Sequence, residues 1–524
     1  MSKKVNIEQV SPSPLERGIK GVRLVYFLGV GGIGMSAIAR YFNSLDCKVV
    51  GYDKTKTILT EQLESEGIEI HYDENVDLIP LSIKEQKEGT LVIYTPAIPK
   101  GNKELVYLKE QGIKLYKRSE VLGLISENYF TIAVAGTHGK TTTSSIVAHI
   151  LNECGVNCIA FLGGISLNFN SNLLLNENSQ TVLLKENNKG NLLKDEGVNS
   201  VSDNNQHRYG VLVVEADEFD RSFLTLSPDI ALITSIDADH LDIYGDKDAM
   251  KNAYSEFVGK IKKDGVLILK QECIDELIIR EDIRVSSYSG TSPASASATN
   301  VTIKNGDYFV DIETIDCHPE HVLREQKSRR EIKDVKIGLP GIHNVENAIG
   351  AFAIADKLGI DRQKIKAALG SYKGVYRRFE THIKTDDIVY IDDYAHHPSE
   401  LEMCINSAKE LYPNKKITGI FQPHLYTRTR DFIDDFATSL SLLDELILLD
   451  IYPARELPIE GIDSELIKSK VTIPNKNVVA KEDLLAAISE KNIEVLLTMG
   501  AGDIDVFVQP IKKQLTKQLE GINE

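Results

Sequence analysis

Short apolar runs separated by polar, helix-like stretches recur along the whole chain. The clearest runs are Arg23 to Leu28, Lys48 to Tyr52, Thr90 to Thr95, Phe130 to Ala135, Val211 to Val214, Ile230 to Ile236, Ile388 to Ile391, Ile417 to Phe421, Glu445 to Leu449 and Val495 to Met499. Brief apolar runs that alternate with amphipathic segments are typical of buried parallel strands connected by helices. The pattern therefore predicts an α/β fold built on doubly wound sheets.

The chain has 524 residues, which is more than a single hydrophobic core usually supports. The grouping of strands, helices and turns predicts three α/β domains, at 1–127, 128–373 and 374–524. Two stretches interrupt the alternation. A polar stretch at 168–206 is predicted to be a surface insertion, and a Ser/Ala-rich stretch at 286–299 is predicted to be a flexible loop.

A glycine-rich turn that carries a lysine directly follows the apolar run at 130–135. Its residues are Gly136, Thr137, His138, Gly139, Lys140, Thr141 and Thr142. Glycine lets backbone N–H groups surround phosphate oxygens, Lys140 adds a mobile charge, and the Thr141 hydroxyl suits Mg²⁺. The usual P-loop pattern has glycine where this chain has Val134, so a plain strand-to-helix turn is the alternative. Binding of ATP or a similar nucleotide is the first inference.

Acidic clusters follow two later apolar runs. Glu215 to Glu218 ends the first, and Asp237 to His240 ends the second. Because ligands collect beyond the carboxyl ends of parallel strands, both clusters are predicted to face the Lys140 turn and to hold Mg²⁺ against a triphosphate. Capping of helices by acidic residues explains one such cluster well, but it explains two in this order poorly.

A second glycine turn precedes the helix-like segment Met35 to Phe42. Gly29, Gly31 and Gly34 form the G-x-G-x-x-G dinucleotide fingerprint, and Asp53 ends the next strand where a ribose-binding acid is expected. Alone, this fingerprint would indicate NAD. The same turn can hold any pyrophosphate, and a sugar nucleotide fits equally well.

The charge balance narrows the classes of partner. With 60 basic and 77 acidic side chains the net charge is −17, which argues against broad binding of nucleic acid or anionic membranes. No apolar run is long enough for membrane insertion. The six cysteines are scattered without zinc-site spacing, which favours free thiols in a reducing cytoplasm.

Eight motifs, in their order along the chain, resemble those of the Mur ligases. They are GVGGIGMS at 29–36, GTHGKTTT at 136–143, EADE at 215–218, DHLD at 239–242, PGIHNVEN at 340–347, YRRFE at 376–380, DDYAHHP at 392–398 and FQPHLYTRTRD at 421–431. With the GAGD stretch at 500–503, the resemblance covers nearly the whole chain. It implies a Rossmann-like UDP-sugar-binding domain, a central P-loop-type ATP-binding domain with a mostly parallel sheet, and a Rossmann-like amino-acid-binding domain.

The resemblance also implies a reaction. An ATP-dependent ligase of this kind would join L-alanine to the carboxylate of UDP-N-acetylmuramate in peptidoglycan precursor synthesis. Transfer of the γ-phosphoryl group would give an acyl phosphate, which the amine then attacks. Alignment and electrostatic stabilisation would do most of the work, and no covalent protein nucleophile is required.

Roles implied by the resemblance attach to residues that match the family motifs. The catalytic residues would be Lys140, Glu215, His240 and Arg428, and Mg²⁺ would bind Thr141, Glu215 and His240. Besides 136–142, ATP would contact His343, Asn344, Asn347, Arg377 and Asp393. The sugar nucleotide would contact Gly31, Gly32, Gly34, Asp53, His71 and Thr95, and the amino acid would contact Tyr394, His396, His397, His424 and Arg428. Many family members have arginine where this chain has Leu425, which makes Arg428 the stronger candidate for the amino acid's carboxylate.

Four alternatives stay open. A ligase that attaches a recycled peptide to the same sugar nucleotide would differ in its amine, and a folate polyglutamate ligase would lack the first glycine-turn domain. An NAD-dependent dehydrogenase would bind NAD without ATP turnover. A nucleotide-gated binding protein without chemistry is disfavoured by the presence of Lys140, Thr141, Glu215 and His240 together. The pattern specifies no oligomeric state.

Overall fold

The computed structural model describes residues 21–176, 210–237, 244, 246–304, 307–315, 329–454 and 456–521. His240 and residues 177–206 of the predicted insertion lie outside this part of the chain. The described residues form two compact units. The first contains the residues up to 288 together with 350–364, and the second contains 289–349 together with those from 365 onward.

The first sheet of the first unit is entirely parallel. Its strands are β1 (Leu24–Leu28), β2 (Lys48–Tyr52), β3 (Glu69–His71), β4 (Thr90–Tyr94) and β5 (Leu115–Lys117). The helices between and after them are α1 (Ile33–Ser44), α2 (Ile58–Ser65), α3 (Leu81–Lys84), α4 (Lys103–Glu110) and α5 (Arg118–Ser126). The strand order β3-β2-β1-β4-β5 reverses at β1, so the first glycine turn lies at the switch point where doubly wound sheets bind ligands.

The second sheet of this unit carries the Lys140 turn. Its strands are β6 (Phe130–Ala135), β7 (Cys158–Ser166), β8 (Ser171–Leu175), β9 (Val211–Glu215), β10 (Ile230–Ile233), β11 (Val266–Lys270) and β12 (Arg284–Ser289), with helices α6 (Lys140–Glu153) and α7 (Lys247–Val258). Their order is β8-β7-β9-β6-β10-β11-β12. Every residue of β6 is buried, as expected for a central strand covered on both faces.

The second unit contains an antiparallel ribbon and a third sheet. The ribbon consists of β13 (Ala296–Lys304), β14 (Asp307–Ile315) and β15 (Arg329–Ile337), and helices α8 (Ile342–Lys357) and α9 (Arg362–Ser371) follow it in the chain. The third sheet has the order β16-β17-β21-β18-β19-β20. Its strands are β16 (Glu380–Lys384), β17 (Val389–Asp393), β18 (Ile417–Phe421), β19 (Glu445–Leu448), β20 (Lys476–Val478) and β21 (Val495–Met499). The helices are α10 (Pro398–Leu411), α11 (Tyr426–Asp431), α12 (Ile433–Leu440), α13 (Ser464–Lys470), α14 (Leu484–Ser489) and α15 (Val508–Gly521).

Two stretches differ from their predictions. The loop predicted at 286–299 is wrong for most of its length, because β12 ends at Ser289 and β13 begins at Ala296. Ser286, Ser287 and Ser289 are buried, since small polar side chains fit a covered strand as well as they fit a loop. The insertion predicted from residue 168 begins inside folded structure, because β8 pairs antiparallel with β7.

The predicted α/β class with mostly parallel, doubly wound sheets is confirmed. The boundaries at 127 and 373 stay predictions. Within the described ranges, no helix combines the length and the apolar character that crossing a membrane requires.

Candidate nucleotide and substrate sites

The Lys140 turn depends on two glycines with backbone angles that other residues rarely adopt. Gly136 has a φ of +128° and Gly139 a φ of +80°. A Cβ atom at Gly136 would lie 2.0 Å from Thr234 Oγ1, so no larger residue fits there. The turn therefore leads from buried β6 into the N-terminus of α6 with its backbone held close to the neighbouring strand.

Residues that follow β10 fix the turn from the side. Asp237 N donates to Thr137 Oγ1 and Thr137 Oγ1 lies 3.0 Å from Asp237 O, while His138 N donates to Ser235 Oγ at 3.0 Å. The Thr234 hydroxyl donates to the His138 carbonyl. Since β10 and β9 flank β6 in parallel, all three carboxyl ends meet here. Thr234 and Ser235 were not predicted, because no motif marks residues that act through the loop backbone.

The Lys140 ammonium is fully engaged inside this cradle. Its Nζ donates to Gly136 O at 2.6 Å, to Thr137 O at 3.1 Å and to Glu218 Oε1 at 2.8 Å. The side chains of Lys140 and Glu218 are only 13% and 1% exposed. Burial raises the pKa of Glu218 to about 7, although the Lys140 charge opposes this shift. The sequence placed Glu218 in an acidic cluster but gave no sign of this pairing.

Thr141 and Glu215 present two oxygens suited to one Mg²⁺ ion. The Thr141 hydroxyl donates to Glu215 Oε1 at 3.0 Å, and Gly163 N donates to Glu215 Oε2 at 3.0 Å. Adjacent ligands in an octahedral Mg²⁺ shell, each bonded at about 2.1 Å, lie ~3.0 Å apart, so this spacing fits the ion. In the described ranges no cluster of three or more His, Cys, Asp or Glu side chains completes a metal site.

The first glycine turn is tied to Asp53 and approached by Arg118. Gly31 N donates to Asp53 Oδ2 at 2.8 Å, and the methyl group of Thr95 packs against Gly29. The Arg118 guanidinium lies so close to Gly34 that a Cβ atom there would be 2.8 Å from its Nη1. Arg118 also donates to Asp217 Oδ2 at 3.4 Å, which connects this turn to the acidic cluster after β9. Arg118 belongs to none of the motifs found in the sequence, so its place at the turn was missed.

His71 uses both ring nitrogens within the protein. Its Nδ1 lies 3.0 Å from the Asp73 carbonyl and therefore carries a hydrogen. Its Nε2 lies 3.0 Å from the Tyr26 hydroxyl, which also hydrogen-bonds to buried Glu104. Burial raises the pKa of Glu104. The predicted contact between His71 and the sugar nucleotide would therefore use the ring face or require one of these bonds to break.

In the second unit, Arg377 and Asp393 are occupied by structural contacts. Arg377 donates to Asp392 Oδ2 at 2.9 Å and to Gly500 O at 2.7 Å. Asp393 accepts from Phe379 N and Ala395 N, each at 2.7 Å, and burial raises its pKa to about 6. Both residues were predicted to contact ATP, and these bonds show that they also stabilise the loop 377–379.

His343, Asn344 and Asn347 lie together in the first turns of α8. Asn344 Nδ2 donates to Pro340 O at 2.6 Å, and Asn347 Nδ2 donates to Asn344 Oδ1 at 3.3 Å. Burial lowers the pKa of His343 to about 4, so its imidazole is neutral. The asparagines therefore stabilise the start of the helix, and their predicted contact with ATP stays a prediction.

Most residues of the predicted amino-acid site lie together. The His396 ring centroid is 5.3 Å from that of Tyr394 and 6.1 Å from that of His424, and Arg428 Nη1 lies 3.4 Å from His424 Nδ1. Burial lowers the pKa of His396, and burial with nearby positive charge lowers that of His424 to about 4. His397 instead packs against Phe432, with ring centroids 4.8 Å apart.

Two residues near this group were missed. The Tyr452 ring stacks on His424 at 5.7 Å, and the Tyr452 carbonyl accepts from Leu425 N at 3.0 Å. Glu456 accepts from Thr427 N at 3.0 Å and so caps α11. Leu425 has a φ of +72°, which is unusual for a branched residue and fixes the start of α11. Nothing in the spacing of the motif indicated partners so distant in sequence.

Three family models match successive parts of the chain. The "Mur ligase family, catalytic domain" model matches residues 24–130, the "Mur ligase middle domain" model matches 134–355, and the "Mur ligase, glutamate ligase domain" model matches 377–502.

Relatives that match almost end to end are UDP-N-acetylmuramate–L-alanine ligases. One from Parabacteroides distasonis is 46% identical over 96% of this chain and 99% of its own, and one from Flavobacterium johnsoniae is 45% identical over 94% and 98%. The crystal structure of the UDP-N-acetylmuramate-alanine ligase from Thermotoga maritima is similar, with a TM-score of 0.72 at 26% identity over 94% of this chain and 99% of that one. The chain therefore belongs to the Mur ligase family.

Proposed function

We propose that this chain is an ATP-dependent ligase that joins L-alanine to the carboxylate of UDP-N-acetylmuramate and releases ADP and phosphate. The observation that carries the proposal is the cradle in the first unit, where Lys140 and the Thr141–Glu215 pair lie at the carboxyl ends of adjacent parallel strands. The names of relatives about 45% identical over nearly the full length support the choice of both substrates.

The reaction balances as two displacements. A carboxylate oxygen of the sugar nucleotide attacks the γ-phosphorus, and the bond from that phosphorus to the ADP oxygen breaks. The amine nitrogen of L-alanine then attacks the carbonyl carbon of the acyl phosphate, phosphate leaves, and the nitrogen loses its proton. The backbone N–H groups at 137–140 and the Lys140 ammonium would bind the phosphoryl oxygens.

Thr141 and Glu215 would hold Mg²⁺, and His240 stays a predicted third ligand outside the described residues. When bound, the ion neutralises charge that develops on the transferred phosphoryl group. Gly163 N orients the Glu215 carboxylate through its second oxygen. The protein's own contribution is to keep these groups in place before the substrates arrive.

The amino-acid site would use neutral imidazoles and one guanidinium. His396 donates from Nδ1 to the Tyr394 carbonyl at 3.0 Å, which leaves its Nε2 as an acceptor for the ammonium or its leaving proton. Arg428 would bind the carboxylate of L-alanine, because its planar donor pair matches carboxylate geometry.

The test is ADP formation by the purified protein with UDP-N-acetylmuramate and a panel of amino acids and short peptides. We expect turnover with L-alanine only when the sugar nucleotide is present, and loss of turnover in Lys140→Ala. Lys304→Ala is the matched control, since Lys304 forms an exposed ion pair with Asp334 at 2.9 Å in the antiparallel ribbon of the second unit. Preference for a tripeptide would indicate the recycling ligase, and reduction of NAD without ADP formation would indicate the dehydrogenase.

A further inference from the structure

Glu218 has no part in the chemistry proposed above, although it is the acidic partner of the cradle lysine. Both of its carboxylate oxygens lie 2.8 Å from Lys140 Nζ. The lysine's other two hydrogen bonds go to the carbonyls of Gly136 and Thr137. An ammonium group has three donors, so the protein itself uses all of them.

A nucleotide phosphate needs those same donors. Phosphoryl oxygens are anionic acceptors like the Glu218 carboxylate, and they bind ammonium groups at similar distances. A phosphate that binds the ammonium must therefore displace one of its three acceptors, and Glu218 is the one whose negative charge also repels the phosphate. Glu218 is 1% exposed, so a carboxylate left at this position without its lysine partner would be a buried, unpaired charge.

Charge around the cradle opposes a free polyanion. Besides Glu218, the carboxylates of Glu215 and Asp217 act on Lys140, and together they raise its pKa although burial lowers it. One ammonium group faces three carboxylates, of which Asp217 also pairs with Arg118. A nucleotide that brings a divalent cation to the Thr141–Glu215 pair would add positive charge near these carboxylates, whereas free ATP adds only negative charge.

The backbone around Glu218 is held in one conformation. The Glu218 carbonyl accepts from the Tyr244 hydroxyl at 2.6 Å and from Arg221 N at 2.9 Å. Asp220 and Arg221 both adopt positive φ values, +52° and +56°, that are unusual for side-chain-bearing residues. This turn therefore fixes the Glu218 carboxylate beside the lysine.

We propose that Glu218 is a positioning residue that acts as an internal phosphate surrogate and makes the cradle selective for nucleotide complexed with a divalent cation. It holds Lys140 against the carbonyls of its own turn. Metal-free nucleotide must displace it without compensation, while the metal complex compensates the carboxylates as it binds. This inference rests on the proposed ATP site.

The test compares ATP affinity with and without Mg²⁺ in three proteins by titration calorimetry, with EDTA in the metal-free arm. Glu218→Gln removes the competing charge but keeps the side-chain shape, so it should bind metal-free ATP about tenfold more tightly than the parent, while MgATP affinity changes much less. Glu69→Gln is the matched control, because it removes a glutamate that pairs with a lysine, Lys48 at 2.9 Å, at an exposed position on the edge strand β3. It should leave the ratio of the two affinities nearly unchanged.

Two results would overturn the inference. One is weaker or unchanged binding of metal-free ATP by Glu218→Gln, and the other is an equal change of the ratio in Glu69→Gln. If Glu218→Gln fails to fold, Glu218→Asp retains the charge but withdraws it from Lys140, and an unchanged affinity ratio in that variant has the same meaning. Failure of the parent to bind any nucleotide refutes the proposed function, and the inference falls with it. Binding by the parent without a change of ratio in the variants refutes only the inference.

Discussion

Arg377→Met separates a structural role of this arginine from the predicted contact with ATP. Arg377 is 5% exposed, and its partner Asp392 is fully buried. Methionine keeps most of the side-chain length but leaves Asp392 with only the Thr498 hydroxyl, which donates to it at 2.6 Å. Removing one partner of a buried ion pair costs about 3–5 kcal/mol, and the lost bond to Gly500 O falls within that range. We expect the free energy of unfolding of the second unit to fall by roughly 3–5 kcal/mol.

The measurement is urea unfolding followed by far-ultraviolet circular dichroism, because the protein contains no tryptophan to report by fluorescence. Arg378→Met is the matched control. Its guanidinium is 34% exposed and lies 5.2 Å from the Tyr394 ring centroid, so its loss should cost less than about 1 kcal/mol. An Arg377→Met protein that unfolds at the parent's urea midpoint but has a raised KM for ATP would refute the structural reasoning and identify Arg377 as a nucleotide ligand.

Three further variants follow from the same contacts. In Gly163→Ala the new Cβ atom would lie 2.2 Å from Glu215 Oε2 and would push this carboxylate out of place. The Mg²⁺ concentration for half-maximal activity should therefore rise roughly tenfold or more. An unchanged Mg²⁺ requirement would remove Glu215 from the metal site. Arg428→Met should raise the KM for L-alanine more than the KM for ATP. Arg430 is exposed, so Arg430→Met should change neither KM. Equal effects of Arg428→Met on both KM values would mean that Arg428 does not bind the amino acid's carboxylate. Glu104 has a raised pKa in the folded state, so the parent should lose stability as the pH rises above the ordinary pKa of glutamate. Glu104→Gln should flatten the slope of the urea midpoint against pH. Parallel slopes in parent and variant would contradict the raised pKa of Glu104.

The sheets and the cradle could be predicted because their signals are local. Phe130 to Ala135 is apolar throughout, since a central strand is covered on both faces, and Gly136 is required because a Cβ atom has no room there. The strand-end position of Glu215 then follows from the parallel order of the sheet. Each of these inferences needs only a short window of sequence and one rule about sheets.

The prediction of a loop at 286–299 failed because composition was taken as a sign of exposure. Serine, alanine and threonine are common in flexible segments, but they also fit closely packed strands, where Ser286 and Ser289 are buried. The alternation of buried and exposed side chains that marks a strand could not be recognised, since serine, alanine and threonine differ little in hydropathy. Packing against neighbouring strands decided the outcome, and that information is not local.

What the sequence could not supply is the partner of each charged group. The sequence alone shows no partner for Lys140 or Arg377. In the structure each donates to a buried carboxylate and to at least one backbone carbonyl. A buried charge without a partner is costly, so the fold provides carboxylate and carbonyl partners for both cations. Ligand binding at such a site is then an exchange of partners rather than the filling of an empty space. The negative charge of the internal partner, here Glu218 beside Lys140, then determines how much positive charge the ligand must bring with it.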